Sequence, residues 1–248
     1  MSHKLKRQRQ EERDRRGRGR DRGRDRGRRK RLSPPTSHID IFHMLVDEHL
    51  PYLYFVFSRR GTEELARGLG RYVSTGRSLL DYEEREEMEE RLEAFKKLPG
   101  ADVALYGGLE KLYRLGIGFH HAGLHVMLKE FVEELYEAKL IKVLYCTSTF
   151  ALGINMPARS AAFDGLQRYN GHEMIPLPTR EFMQMAGRAG RRGMDEEGTV
   201  VIRTTMEDYA DLTPQLKGYL SATYEPVRSR FSLSLNSVVN LLLSLIHI

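Results

Sequence analysis

YLYFVFS, residues 52–58, is a nearly continuous apolar run that ends on a hydroxyl. A strand covered on both faces has this composition, because neither side of its pleat meets water. LIKVLYC, residues 140–146, has the same character, and GIGFH (116–120), SAAFDGLQRY (160–169) and GTVVIRT (198–204) read as further strands. Helical patterns fall between them. Ile39, Phe42, Leu45 and Val46 keep helical spacing ahead of the first strand, and residues 62 to about 73 read as a helix after it. The charge-dense stretch 81–98 predicts a surface helix with an apolar stripe of Met88, Leu92 and Phe95, with Glu87–Arg91 and Glu93–Lys97 pairs at i,i+4. Leu124, Met127, Leu128, Phe131, Val132 and Leu135 mark another helix, and 179–186 a last one, with Glu181 in its first turn. Strands separated by helices predict an α/β fold: a parallel sheet with helices on both faces. Ligands of such sheets sit beyond the carboxyl ends of the strands, here the loops after Phe57, His120, Cys146 and Tyr169.

The 248 residues are enough for one full domain and part of another, and 40% of them are hydrophobic. No run of eighteen apolar residues occurs, so no membrane partner is expected, and the first residues lack the apolar stretch of a signal peptide. One cysteine, Cys146, excludes a disulfide within the chain and suits a reducing, cytoplasmic setting, with the nucleus left open. The net charge of +6 conceals an asymmetry. Residues 1–31 hold 16 Lys or Arg against 5 Asp or Glu, whereas the remainder holds 24 against 29. The run RRGRGRDRGRDRGRRKR has almost no apolar side chain to offset its ordering entropy, so residues 1–35 read as a disordered basic tail. Two readings of that tail stand side by side, a nucleic-acid-binding arm and a solvated linker.

Chemistry concentrates in four segments. QMAGRAGRRG, residues 184–193, sets Arg188 and Arg191 three apart among Gly187, Gly190 and Gly193. The glycines let the backbone close tightly, so two planar, permanently charged guanidinium groups can converge on one anion. An arginine acting on a transferring γ-phosphate is worth ~10³–10⁵ in rate. CTSTFALGINMPA, residues 146–158, follows a buried strand and offers hydroxyls at Thr147, Ser148 and Thr149, then Gly153 and Asn155. FSRRG, residues 57–61, ends a strand with a hydroxyl and two cations. HHAGL, residues 120–124, places Gly123 before an amphipathic helix, where free amides favour a phosphate.

Together these segments resemble the fourth, fifth and sixth motifs of superfamily-two helicases, with HHAGL as an RNA-contact element. The forms HHAGL, LGINMPA and QMAGRAGRRG resemble the superkiller-type (Ski-like) DExH-box RNA helicases, which include exosome-linked members. The resemblance covers about residues 36–243. It implies a helicase C-terminal RecA-like domain at 36–210 and, at 211–248, the start of the helical and winged-helix region that follows. In that family this lobe closes over ATP and Mg²⁺ held mainly by an N-terminal RecA-like lobe in cis, and grips single-stranded RNA, with DNA left open. Carried over to this sequence, Arg188 and Arg191 would contact the γ-phosphate, with Arg191 the finger. Gln184 would orient the phosphates or the attacking water. Gly153 and Asn155 would face the nucleotide and couple it to RNA. Ser58, Arg59, Gly123, Thr147 and Thr149 would hold the RNA backbone.

The departures are equally specific. No G-x-x-x-x-G-K-[ST] loop and no DExH box occur in the chain. The resemblance places both upstream, so Met1 is expected not to be the true start and the lobe alone is expected to be inactive. YEPVRSRFSLSLNSVVNLLL, residues 224–243, carries a helical stripe of Leu235, Val238, Val239 and Leu242, and SLIHI at 244–248 reads as translated adapter sequence. No metal site is expected: His120, His121 and His125 cluster without an H-E-x-x-H pattern. Cys146 reads as a small buried hydrophobe rather than a nucleophile, and the acidic helix as a solvated face. Two function classes remain: a motor lobe, which needs Arg188 and Arg191 exposed at an open edge of the sheet, and a non-catalytic nucleic-acid-binding module, which does not.

Overall fold

The computed structural model describes residues 36–225 apart from 77, 154, 155, 192, 205 and 223. The basic stretch 1–35, Asn155, the stripe Leu235–Leu242 and residues 244–248 lie outside the described residues. Helix α1 (His38–Leu45) begins at a capping box: the Ser37 hydroxyl accepts the Asp40 amide, and the Asp40 carboxylate accepts the Ser37 amide. It buries Ile41, Phe42 and Leu45. Strand β1 (Tyr52–Phe55) follows, then α2 (Arg59–Val73), capped by Ser58, and α3 (Tyr82–Lys96), capped by Asp81. Two short helices, α4 (Ala101–Ala104) and α5 (Leu109–Tyr113), lead to β2 (Ile117–His120), α6 (Val126–Glu137) and β3 (Val143–Cys146). The second half runs α7 (Ser148–Gly153), β4 (Ser160–Phe163), β5 (Gln167–Tyr169), β6 (Met174–Pro176), α8 (Thr179–Ala186), β7 (Thr199–Ile202) and α9 (Met206–Leu220).

Five strands form one parallel sheet in the order β2-β3-β1-β4-β7. Every residue of β1, β2, β3 and β4 is buried, as expected of largely apolar strands covered by helices on both faces. This is the α/β, RecA-like arrangement the sequence predicts. α6 lays Leu128, Phe131, Val132 and Leu135 into the core, and α3 adds Met88, Leu92 and Phe95, the apolar stripe read from its sequence. The Phe95 and Phe131 rings stack at 4.2 Å, and Tyr113 meets Phe131 edge-on at 6.0 Å.

Three local expectations are corrected. SAAFDGLQRY is two strands, not one. The chain leaves the sheet at Asp164, whose carboxylate accepts the Tyr54 hydroxyl at 2.9 Å and pairs with Arg203 at 2.9 Å. β5 then pairs antiparallel with β6, so the loop after Tyr169 is a hairpin rather than a carboxyl-end loop of the main sheet. TSTFALG is not an open loop, because Ser148–Gly153 is helical. On α3 the Glu87–Arg91 pair forms at 2.7 Å, but Glu93 bonds Lys96 at 3.0 Å, since Lys96 also reaches Glu110 at 2.8 Å. Truncating Phe131→Ala removes the ring on which α3 and α5 converge. It is expected to cost about 3–5 kcal/mol, read as a lower midpoint in urea unfolding followed by circular dichroism.

Candidate functional site

The predicted site residues divide between the two ends of the sheet. At the carboxyl ends of β1, β2 and β3 stand Ser58, Arg59, Gly123, Thr147 and Thr149. Ser58 and Arg59 are exposed at the start of α2, where the Ser58 hydroxyl accepts the Gly61 amide at 3.1 Å. The Arg59 side chain lies against Gly123, whose Cα hydrogen faces it; a Cβ there would sit 3.4 Å from Arg59 Cδ. Thr147 donates its amide to the His120 carbonyl at 3.2 Å, and its hydroxyl lies 2.8 Å from that of Thr149. These five residues therefore follow three neighbouring strands and share one edge.

The Gly123 amide departs from expectation. It donates to His121 Nδ1 at 3.1 Å, so it is engaged within the loop rather than offered to a phosphate. This bond makes Nδ1 the acceptor and leaves Nε2 to face Glu63 on α2 at 3.1 Å. His121 thereby ties the HHAGL loop to the helix that begins at Ser58. His120 faces Glu133 at 2.8 Å, and burial holds its imidazole below its ordinary pKa, against the opposing pull of that carboxylate. Both histidines thus serve as buried ties between elements. Among the described residues, no group of three or more His, Cys, Asp or Glu side chains converges as a metal site would need. Cys146 is buried, which pushes its thiol well above its ordinary range.

Arg188 and Arg191 lie at the opposite, amino end of the strands. Ala189 forms a parallel bridge with Ala158. The Ala158 amide donates to the Arg188 carbonyl and the Gly190 amide to the Ala158 carbonyl, both at 2.9 Å. Arg159 in turn donates to the carbonyl of Pro51, the residue just before β1. Two glycines permit this close approach. Gly190 takes φ +89°, and a Cβ on Gly198 would stand 2.5 Å from the Ala189 carbonyl oxygen. The arginine loop therefore adds onto the segment leading into β4 rather than the one leaving it, so it is not among the carboxyl-end loops that the sequence pattern pointed to.

The loop borders a cavity of about 500 Å³ lined by Pro51, Tyr136, Lys139, Met156, Pro157, Arg188, Arg191 and Met194, together with Glu137 and two glycines. Three cations, Lys139, Arg188 and Arg191, line it against the Glu137 carboxylate, with Asp195 behind Arg191, an arrangement that suits an anion such as a phosphate. The arginines are half-buried rather than exposed, because each has a partner inside the lobe. Arg188 Nη2 donates to the Ala151 carbonyl of α7. Arg191 forms a two-point pair with Asp195, Nε to Oδ2 and Nη2 to Oδ1, each at 2.7 Å, and its amide adds a third bond to Oδ2 at 2.9 Å. The Arg191 guanidinium holds the Asp195 carboxyl down to about 2, and the pair raises Arg191 in return. Gln184 is exposed on α8, Gly153 ends α7, and Met156 and Pro157 beyond them reach the cavity. Thr147 thus stands at the carboxyl end of the sheet, and Met156 and Pro157 at the amino end beside the cavity. Asp195 was not singled out from sequence, although a carboxylate four residues after an arginine was the available signal.

No protein-family model matches the chain. It is 38% identical over 213 residues to the DExH-box ATP-dependent RNA helicase DExH15, chloroplastic, of Arabidopsis thaliana, covering 86% of this chain and 17% of that protein. It is 39% identical over 198 residues to Superkiller complex protein 2 of Mus musculus, covering 78% of this chain and 15% of the relative. With the Exosome RNA helicase MTR4 of the same organism it shares 35% identity over 220 residues, 84% of this chain and 20% of the relative. The chain therefore spans no more than about a fifth of the length of these relatives.

The Arg191–Asp195 pair has a testable pH signature. With the folded carboxyl near 2 and the unfolded one near 3.8, its stabilisation is complete above the unfolded value and disappears as pH falls through the folded one. Asp195→Asn is expected to unfold at lower urea than the unaltered chain at pH 7. The gap should narrow below about pH 4; a gap that stays constant would mean the pair is not formed.

Proposed function

We propose, for a chain that belongs to the superkiller-type DExH-box RNA helicase family, that the described residues act as the C-terminal lobe of an ATP-dependent RNA helicase. The observation that carries this reading is the division of the site. Arg188 and Arg191 border one cavity at the amino ends of β1 and β4, while Ser58, Arg59, Gly123, Thr147 and Thr149 line the carboxyl ends of β1, β2 and β3. A motor needs two sites joined by one rigid body, one for the nucleotide and one for the strand.

In this reading ATP lies between the cavity and an N-terminal RecA-like lobe in cis. Arg191, with Arg188, would neutralise charge on the γ-phosphate as it transfers to water, and Gln184 would orient the phosphates or that water. Gly153 and Asn155 would face the nucleotide. Mg²⁺ would be held mainly by the other lobe, since the chain has no P-loop and no DExH box. By itself the lobe would therefore not turn ATP over. Ser58, Arg59, Thr147 and Thr149 would hold successive phosphates of single-stranded RNA, independent of base, as a motor moving along any strand requires, while Gly123, its amide engaged by His121, would contribute only close backbone approach. The lobe spans 36–210, and residues from 211 begin the region that follows.

Two substitutions in the full-length helicase test the two ends separately. Arg191→Ala is expected to reduce RNA-stimulated ATP turnover by ~10³–10⁵ with RNA affinity nearly unchanged. Arg59→Ala is expected to weaken RNA binding and flatten the slope of log K against log salt by roughly 0.7, one single-strand phosphate contact. Turnover that survives Arg191→Ala would leave a nucleic-acid-binding module without a catalytic role.

A further inference from the structure

The chemistry of the Arg191–Asp195 pair goes one step beyond that reading and rests on it. A guanidinium carries five N–H donors in a rigid plane, arranged along two usable edges. Asp195 takes the Nε edge with two bonds of 2.7 Å each. The second Nη2 hydrogen and one Nη1 hydrogen have no part in that pair, and together they form the other edge, which suits two oxygens of one phosphate. The Asp195 carboxylate also accepts the Arg191 amide at 2.9 Å, and the Met194 and Asp195 amides donate to the Arg191 carbonyl at 3.0 Å. The side chain is thus fixed at its root and along one edge, by a carboxylate that is itself only 6% exposed. An arginine at a cavity rim without such a partner would sample many rotamers, and each would have to be given up when the phosphate arrives.

We propose that Asp195 is the positioning residue for Arg191. It keeps hold of the Nε edge throughout turnover and presents the Nη1 edge to the γ-phosphate. The opposite arrangement, a latch that must let go before Arg191 can act, uses the same atoms and gives the opposite kinetics. Arg188, Glu137 and Lys139 line the same cavity, and Arg159 is near enough to act electrostatically on Asp195; none of the four bonds the Arg191 side chain among the contacts described.

The test is steady-state ATP turnover of the full-length helicase with saturating single-stranded RNA. Asp195→Asn, which keeps the shape and removes the charge, is expected to lower kcat roughly tenfold or more while KM for ATP and RNA affinity stay within about twofold. Because Asp195 acts through Arg191, the double variant with Arg191→Ala should be no slower than Arg191→Ala alone. Guanidinium ion at low concentration should partly restore Arg191→Ala while Asp195 is present and fail in the double variant, which a merely structural role for Asp195 would not produce. Arg191→Lys, which retains the charge without a second edge, should lose turnover as well. If Arg191→Ala is inactive yet Asp195→Asn turns over normally or faster, the positioning role is overturned and the nucleotide reading survives. If Arg191→Ala itself is active, both fall. Full turnover by Arg191→Lys would overturn the two-edge argument.

Discussion

The parallel ladder of β1 with β3 on one side and β4 on the other constrains everything else in this lobe. Tyr52, Leu53, Tyr54 and Phe55 are wholly buried, so their peptide groups have no water to bond and must find partners in neighbouring strands. The register that results pairs Phe55 with both Cys146 and Phe163, and Tyr52 with both Val143 and Ser160. A single four-residue strand therefore aligns the loops at both ends of the sheet. Val56 and Thr147 come level at one end, and Pro51 and Arg159 at the other.

That alignment gives the lobe its two faces. The ends of β1, Tyr52 and Phe55, are roughly 10 Å apart at ordinary strand rise, and α7 lies between β3 and β4 in the chain. The Ala151 carbonyl, midway along this connection, receives the Arg188 guanidinium, and Ala158 at its far end bridges to Ala189. The helix carrying Gln184 is secured from elsewhere. Its first amide donates to Glu225 at 2.6 Å, and Phe182 stacks on Tyr219 of α9 at 4.1 Å. The arginine loop is held by neighbours on both sides, and little of its geometry is left to the loop itself.

The sheet was legible because burial on both faces leaves a plain mark, a nearly continuous apolar run, at 52–58 and 140–146. The helix at 179–186 was legible to the residue, and the stripe of Met88, Leu92 and Phe95 is buried as its spacing required. The break inside 160–169 was not, since the acceptor role of Asp164 depends on Tyr54 and Arg203, both distant in sequence. The motifs set the candidate site residues apart but not which end of the sheet each occupies. That placement comes from the bridge of Ala158 to Ala189, a contact across some thirty residues with no local signature. The engaged amide of Gly123 escaped notice for the same reason, because a ring nitrogen two residues away can take the bond that a phosphate would otherwise receive.

The division of the lobe into a nucleotide end and a strand end is tested most directly by photocrosslinking the full-length helicase, with adducts mapped by mass spectrometry. An ATP analogue with a photoreactive γ-phosphate and a thiouridine-substituted single strand would be used in parallel. The account predicts nucleotide adducts within residues 156–158 and 187–194, and strand adducts within 58–60, 121–124 and 147–149. Strand adducts on the arginine loop, or nucleotide adducts confined to the carboxyl ends of β1–β3, would contradict it.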